Sequence, residues 1–178
     1  MRDDCAVRRQ LLLVRHAKSS WDDTSLADRD RPLAPRGIKA LAGMRDHLQR
    51  SGHRPEIVLC SPSRRTIDTL DSIRAAIPEH ARVVLADELY GATANSLLAL
   101  LRGVDDGIDC AMVVGHNPTV QDLALLLVGE GDADIRGQLA TKLPTGAVVT
   151  MSFDGDWADL HDGVAALDDL YMPRPPRS

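Results

Sequence analysis

Four short runs of consecutive apolar residues restrict this fold more than any other feature: QLLLV (10–14), EIVLC (56–60), RVVLA (82–86) and CAMVV (110–114). A strand with one wet face alternates polar and apolar side chains. These runs do not alternate, so each is expected to be covered on both faces. Helix-like stretches at roughly 36–51, 62–77, 94–102 and 118–128 separate them. Strands alternating with helices give a mostly parallel sheet with helices packed on both sides, so the expected class is α/β, a three-layer sandwich. A fifth run, AVVTMSF (147–153), alternates more and is expected at an edge, its partner sought in WADLHDGV. At 178 residues the chain has the length of one domain. That domain is expected over 10–171, with 1–9 and 172–178 (MPRPPRS) as disordered ends. Aromatics are only 3% of the residues, so Leu, Val, Ile and Ala must fill the core.

Local signals mark the helix ends. In RPLAPRG, Pro35 stands at a helix start, with Ile38, Leu41, Ala42 and Leu48 following at helical spacing. In CSPSRRTIDTLDSI, Ser61 is expected as N-cap and Pro62 as first helical residue, ahead of an apolar stripe of Ile67, Leu70, Ile73 and Ile77. GHNPTVQDLALLLVGEG repeats the pattern: Asn117 caps, Pro118 opens and Gly129 closes.

Parallel strands point their carboxyl ends to one edge, and ligands of open α/β sheets bind outside that edge. The first run ends in Arg15-His16, the second in Ser61 with Arg64 and Arg65 one turn on, the fourth in Gly115-His116. Two histidines and at least two arginines therefore converge, beside helix N-termini that favour an anion. Arginine matches phosphate oxygens with a planar fork, and histidine serves as nucleophile or proton carrier near neutral pH.

Composition narrows the alternatives. The net charge of −5 argues against nucleic acid as a partner. No apolar run reaches membrane-spanning length, and MRDDCAVRRQ lacks a signal-peptide core, so a cytoplasmic location without membrane association is expected. Three cysteines (Cys5, Cys60 and Cys110) show no CxxC and no metal-ligand spacing, and are read as reduced thiols.

LLLVRHAKSSW, CSPSRRTIDT and VVGHNP, in this order, resemble the histidine phosphatase superfamily, and DRDRPLAPRG resembles its small, lidless branch of SixA-type phosphohistidine phosphatases. The likeness spans about residues 10–153. It implies that His16 accepts the phosphoryl group and that Arg15 binds phosphate beside it. In the family pattern Ser-Pro-x-x-Arg-x-x-x-Thr, Ser61, Pro62, Arg65 and Thr69 line up, making Arg65, not Arg64, the second phosphate arginine. His116 matches the second histidine, and Asn117 beside it joins the phosphate-binding set. Ala17 replaces the family's usual glycine, a change tolerated if the backbone there has ordinary φ. A general acid is sought in ADELYGA, where register favours Asp87 and Glu88 remains open.

The implied activity is metal-independent phosphate hydrolysis through phospho-His16, with no cofactor. The substrate is a protein phosphohistidine or else a small phosphomonoester, and the chain acts as a monomer or weak homodimer. The rival readings are a non-catalytic phospho-ligand binding domain, a metallohydrolase and a mutase. An intact nucleophile argues against the first, the lack of HxH or HxxxH spacing against the second, and the short interval between the first two motifs against the third.

Overall fold

The computed structural model describes residues 7–173. Its centre is one seven-stranded sheet in the order β3-β2-β4-β1-β6-β7-β5. The strands are β1 (Arg8–Arg15), β2 (Ile57–Cys60), β3 (Arg82–Leu85), β4 (Cys110–Gly115), β5 (Val128–Gly131), β6 (Val148–Asp154) and β7 (Ala165–Tyr171). The helices are α1 (Pro35–Ser51), α2 (Arg64–Ile73), α3 (Ala94–Arg102), α4 (Thr119–Leu127) and α5 (Ala133–Thr141). β3, β2, β4 and β1 run parallel, whereas β6 is antiparallel to both β1 and β7. The sheet is thus α/β and mixed, with its parallel half formed by the four continuous runs.

The reason for those continuous runs is visible in β1. Leu11 and Leu13 face a core shared with α3, α4 and α5, where Leu97, Leu101, Leu123, Leu127 and Leu139 are buried. Leu12 and Val14 face the other core, against Leu41, Met44 and Leu48 of α1 and Leu70 and Ile73 of α2. Every residue from Leu11 to Val14 leaves water, each such Leu or Val gaining about 1.5–3 kcal/mol by burial.

Several boundaries differ from expectation. β1 begins at Arg8, inside the segment expected to be disordered. Arg9 is 2% exposed because its guanidinium donates to the carbonyls of Gly155 and Ile108 and to Asp156, so burial is compensated. Residues 1–6 and 174–178 lie outside the described residues. β6 is internal rather than an edge, and its second partner is β7, just beyond WADLHDGV. The α1 stripe is Leu41, Met44 and Leu48, whereas Ile38 and Ala42 are exposed. Gly129 lies in β5 rather than capping α4. A Cβ there would fall 1.9 Å from the Gly163 carbonyl oxygen, so the close approach of the turn before β7 is what requires glycine.

Two helix starts also shift, with consequences for the site. α2 opens at Arg64 with Ser63 at the N-cap, not Ser61, and Pro62 precedes the helix. α4 opens at Thr119, with Pro118 in the capping position and Asn117 outside it. In both places the expected capping side chain is engaged elsewhere, as described next.

Candidate active site

The carboxyl ends of β1, β2 and β4 lie level at one edge. Arg15 stands opposite Gly115, and Cys60 opposite Val114. The ladder continues one step further, with His16 N–H donating to Gly115 O and Ser61 N–H to Val114 O, both at 3.0 Å. His16, Ser61 and His116 are therefore fixed side by side by backbone pairing.

His16 is 8% exposed. Its Nδ1 lies 2.7 Å from the carbonyl oxygen of Ala17. Since a carbonyl only accepts, Nδ1 carries the proton and Nε2 keeps its lone pair. The Ala17 N–H in turn donates to Thr69 Oγ1, which donates to Arg65 O, tying the strand end to α2. No described non-glycine residue has positive φ, so Ala17 sits without strain where the family has glycine.

The His16 and His116 rings meet at 5.2 Å between centroids and 60° between planes. Burial pushes the His16 ring down to about 3. The Ala17 hydrogen bond opposes this, and His116, Arg65 and Arg15 add to it. Burial is also the largest cause at His116, lowered to about 4 with help from Arg65 and Arg15 against Asp28. Both imidazoles are neutral near pH 7. Proximity of the arginines alone is the smaller part of the effect.

His116 Nε2 is 2.7 Å from Ser61 Oγ, which explains why Ser61 does not cap α2. Its Nδ1 is buried with no protein partner, as is Arg15 Nε. Arg15 anchors one terminal nitrogen on the carbonyl of Leu143. An unpaired guanidinium N–H and an unpaired ring nitrogen that donates when it carries the proton fit an oxyanion. Asn117 turns away: its amide N–H groups go to Gln121 Oε1 at 2.8 Å and to Leu143 O, so it braces the carbonyl that holds Arg15.

The two arginines of α2 part company. Arg65 is 8% exposed and donates to the main-chain oxygen of Asp28 at 2.6 Å and to its carboxylate at 2.9 Å. Arg64 points to solvent and pairs with Asp68 along the helix. Asp87 and Glu88 are both exposed on the turn after β3. Asp87 pairs with Arg29 at 2.8 Å, away from the two histidines' hydrogen bonds.

Asp28 is the site residue that sequence reasoning missed. Its Oδ2 accepts from both Arg65 and Tyr90, each at 2.9 Å, and the Tyr90 ring packs edge-on against His116 at 5.7 Å. Partial burial pushes the Asp28 carboxyl up, but those two hydrogen bonds and the charges of Arg65 and Arg31 outweigh it and hold the group below the usual carboxylate range. Its sequence signal was its place in DRDRPLAPRG, the stretch that resembles the small branch, where four charges in the first six residues gave no reason to single out Asp28.

The α/β fold thus sets paired histidines and arginines at the carboxyl ends of parallel strands. Residues 11–90 match the histidine phosphatase superfamily (branch 1). The uncharacterized protein Rv1276c of Mycobacterium tuberculosis (strain ATCC 25618 / H37Rv) is 36% identical over 163 residues, covering 90% of this chain and all of that protein. The candidate phosphohistidine phosphatase SixA of Nakamurella multipartitia superposes with a TM-score of 0.81 at 29% identity, over 93% of this chain and 96% of that one. The corresponding SixA candidate of Agrobacterium tumefaciens gives 0.78 at 25% identity, over 93% and 98%. The chain belongs to the histidine phosphatase superfamily. Among the described residues no helix is long and apolar enough to cross a membrane, and no group of three or more His, Cys, Asp and Glu side chains is arranged to hold a metal ion.

Proposed function

We propose that this protein hydrolyses phosphohistidine on protein surfaces through a covalent phosphoryl intermediate on His16. The observation that carries the reading is the His16–Ala17 hydrogen bond. It fixes the tautomer, and burial keeps the ring neutral, so that Nε2 is unprotonated among Arg15, Arg65 and His116. The likeness to the SixA candidates supports the choice of substrate.

In the first step the Nε2 lone pair attacks phosphorus while the bond to the substrate imidazole breaks. That electron pair returns to the imidazole, which leaves neutral because it entered protonated. Arg15 and Arg65 hold the equatorial oxygens, and His116 donates from Nδ1. Water then attacks phospho-His16, its proton passing to solvent, and His16 and inorganic phosphate are regenerated. The arginines supply the positive charge, so the reaction runs without metal or cofactor. When the leaving group is instead an alkoxide it needs a proton, and Asp87 is the proposed donor.

The test is a brief incubation with a ³²P-labelled phosphohistidine protein in the presence of EDTA. Acid-labile, base-stable label on His16 and phosphate release are expected, both absent in His16→Ala. Label on serine or cysteine, or turnover by the alanine variant, overturns the nucleophile; loss of turnover with EDTA overturns metal independence. Asp87→Ala should slow an alkyl phosphate more than phosphohistidine, and equal losses remove Asp87 as the donor.

A further inference from the structure

An enzyme that needed only to bind phosphate gains nothing from clipping a carboxylate to its phosphate arginine. Asp28 does this. It reaches Arg65 through both its main-chain oxygen and Oδ2, and Tyr90 donates to the same Oδ2. The pairing is held in place. Asp28 opens a short 3₁₀ turn, and the neck of its loop is closed by a bridge between Ser19 and Leu33 and by Ser20 N–H donating to Pro32 O at 2.8 Å. The carboxylate is half exposed, at 51%, so it stands at the rim with Arg65 inside and solvent outside. Tyr90 links it to the edge of His116, and its charge is felt at that ring.

This position matters for the leaving group. The phosphoryl group must sit inside, against Arg15, Arg65 and His16, so the leaving group projects outward past the rim. A carboxylate there repels the negative charge that builds on a departing alkoxide. It attracts a protonated imidazole. Held ionised by Tyr90 and Arg65, it has no proton to give to an alkoxide either.

We infer that Asp28 is a specificity-determining residue, its rim carboxylate favouring N-phosphoryl substrates whose ring enters protonated over O-phosphoryl ones. The inference rests on the phosphohistidine reading but is tested separately from it. Two unit charges about 4 Å apart interact strongly at the effective dielectric of a protein surface, and exposure reduces that to a modest net effect, so about a tenfold change in preference is expected.

The experiment compares kcat/KM for free 3-phosphohistidine and phosphoserine on the wild type and Asp28→Asn. The asparagine keeps the main-chain contact to Arg65 and a side-chain oxygen for Tyr90. The ratio of the two constants should fall about tenfold, with phosphoserine hydrolysis rising. Charged and titratable groups facing Asp28 are Arg65 from α2, Arg31 from its own loop, Tyr90 from the turn after β3 and His116 from the end of β4. Arginine stays charged at every working pH. Partial burial and Asp28 push the Tyr90 hydroxyl up, and burial holds His116 down, so neither changes charge between pH 6 and 9 in the resting site. The substrate ring therefore sets the pH dependence. The loss on phosphohistidine should shrink as pH rises and that ring loses its proton. An unchanged ratio, or equal losses on both substrates at every pH, overturns the role of Asp28 and leaves a purely structural clamp. A wild type that prefers phosphoserine overturns the phosphohistidine reading instead, whatever the ratio does in the variant.

Discussion

Ser61 Oγ and His116 Nε2 lie 2.7 Å apart, joining the end of β2 to the end of β4 inside the crevice. For His116 to donate from Nδ1 to a phosphoryl oxygen, the Ser61 hydroxyl must donate to Nε2. Ser61 is fully buried and its hydroxyl has no alternative partner among the hydrogen bonds of the site, so it acts as a positioning residue for one tautomer. Ser61→Ala leaves Nε2 unsatisfied, a loss worth about 1–3 kcal/mol, or roughly 5- to 150-fold in kcat/KM. The ¹⁵N shifts of His116 report the tautomer directly. Wild type should show Nδ1 protonated and the variant a mixture. A wild type protonated at Nε2 would refute the assignment.

The neutral state of His16 has its own signature. Burial, aided by His116, Arg65 and Arg15, holds the ring down to about 3, against about 6.5 in an unfolded chain. Between those values the unfolded state binds a proton that the folded state refuses. This group's contribution to stability is therefore complete above pH 6.5 and is lost as pH falls toward 3. The His16 ring resonances should not titrate between about pH 8 and 5, and phosphoenzyme formation should keep its nucleophile in that range. A midpoint near 6.5 would show an open, solvated ring.

Arg64 and Arg65 are neighbours with opposite environments. Arg65→Ala removes a donor to the transferring group and should cost about 10²–10³ in kcat. Arg64→Ala removes an exposed helix pair with Asp68 and should stay within about twofold. Steady-state kinetics on one phosphohistidine protein decides between them, and equal losses would place both side chains in the site.

The pattern of these environments explains what the sequence could reveal. Continuous apolar runs exposed β1, β2 and β4 because burial on both faces leaves no polar residue in register, whereas β3, expected to be covered likewise, is an edge strand with Val83 and Leu85 exposed. β7 and α5 stayed hidden for the converse reason. AALDDLY is only partly buried, and ADIRGQLAT buries Leu139 alone. Strand ends made Arg15, His16 and His116 readable. Their partners were not, because Ser61 exchanges a capping role for the His116 hydrogen bond, and Asp28 arrives from a loop whose path no periodicity encodes.

Two glycines in helices test how far packing around His16 is fixed. Gly37 lies in the first turns of α1, where a Cβ would fall 2.3 Å from the Lys18 carbonyl oxygen and 2.9 Å from its nitrogen. That oxygen already accepts from Ala34 N–H at 2.8 Å, so the backbone two residues past His16 is pinned to the helix. Gly37→Ala must push the two apart. Overpacking of this kind costs about 1–3 kcal/mol, and a displacement near 1 Å at the nucleophile is enough to cost about 10²-fold in rate. Gly137, in exposed α5, has nothing within 4 Å of the place a methyl group would take. Gly137→Ala should therefore stabilise by about 0.5–1 kcal/mol through helix propensity and leave turnover alone. Thermal melts and kcat on both variants give the comparison. If Gly37→Ala melts no lower than wild type and keeps its rate, the contact between α1 and Lys18 does not hold the nucleophile in place.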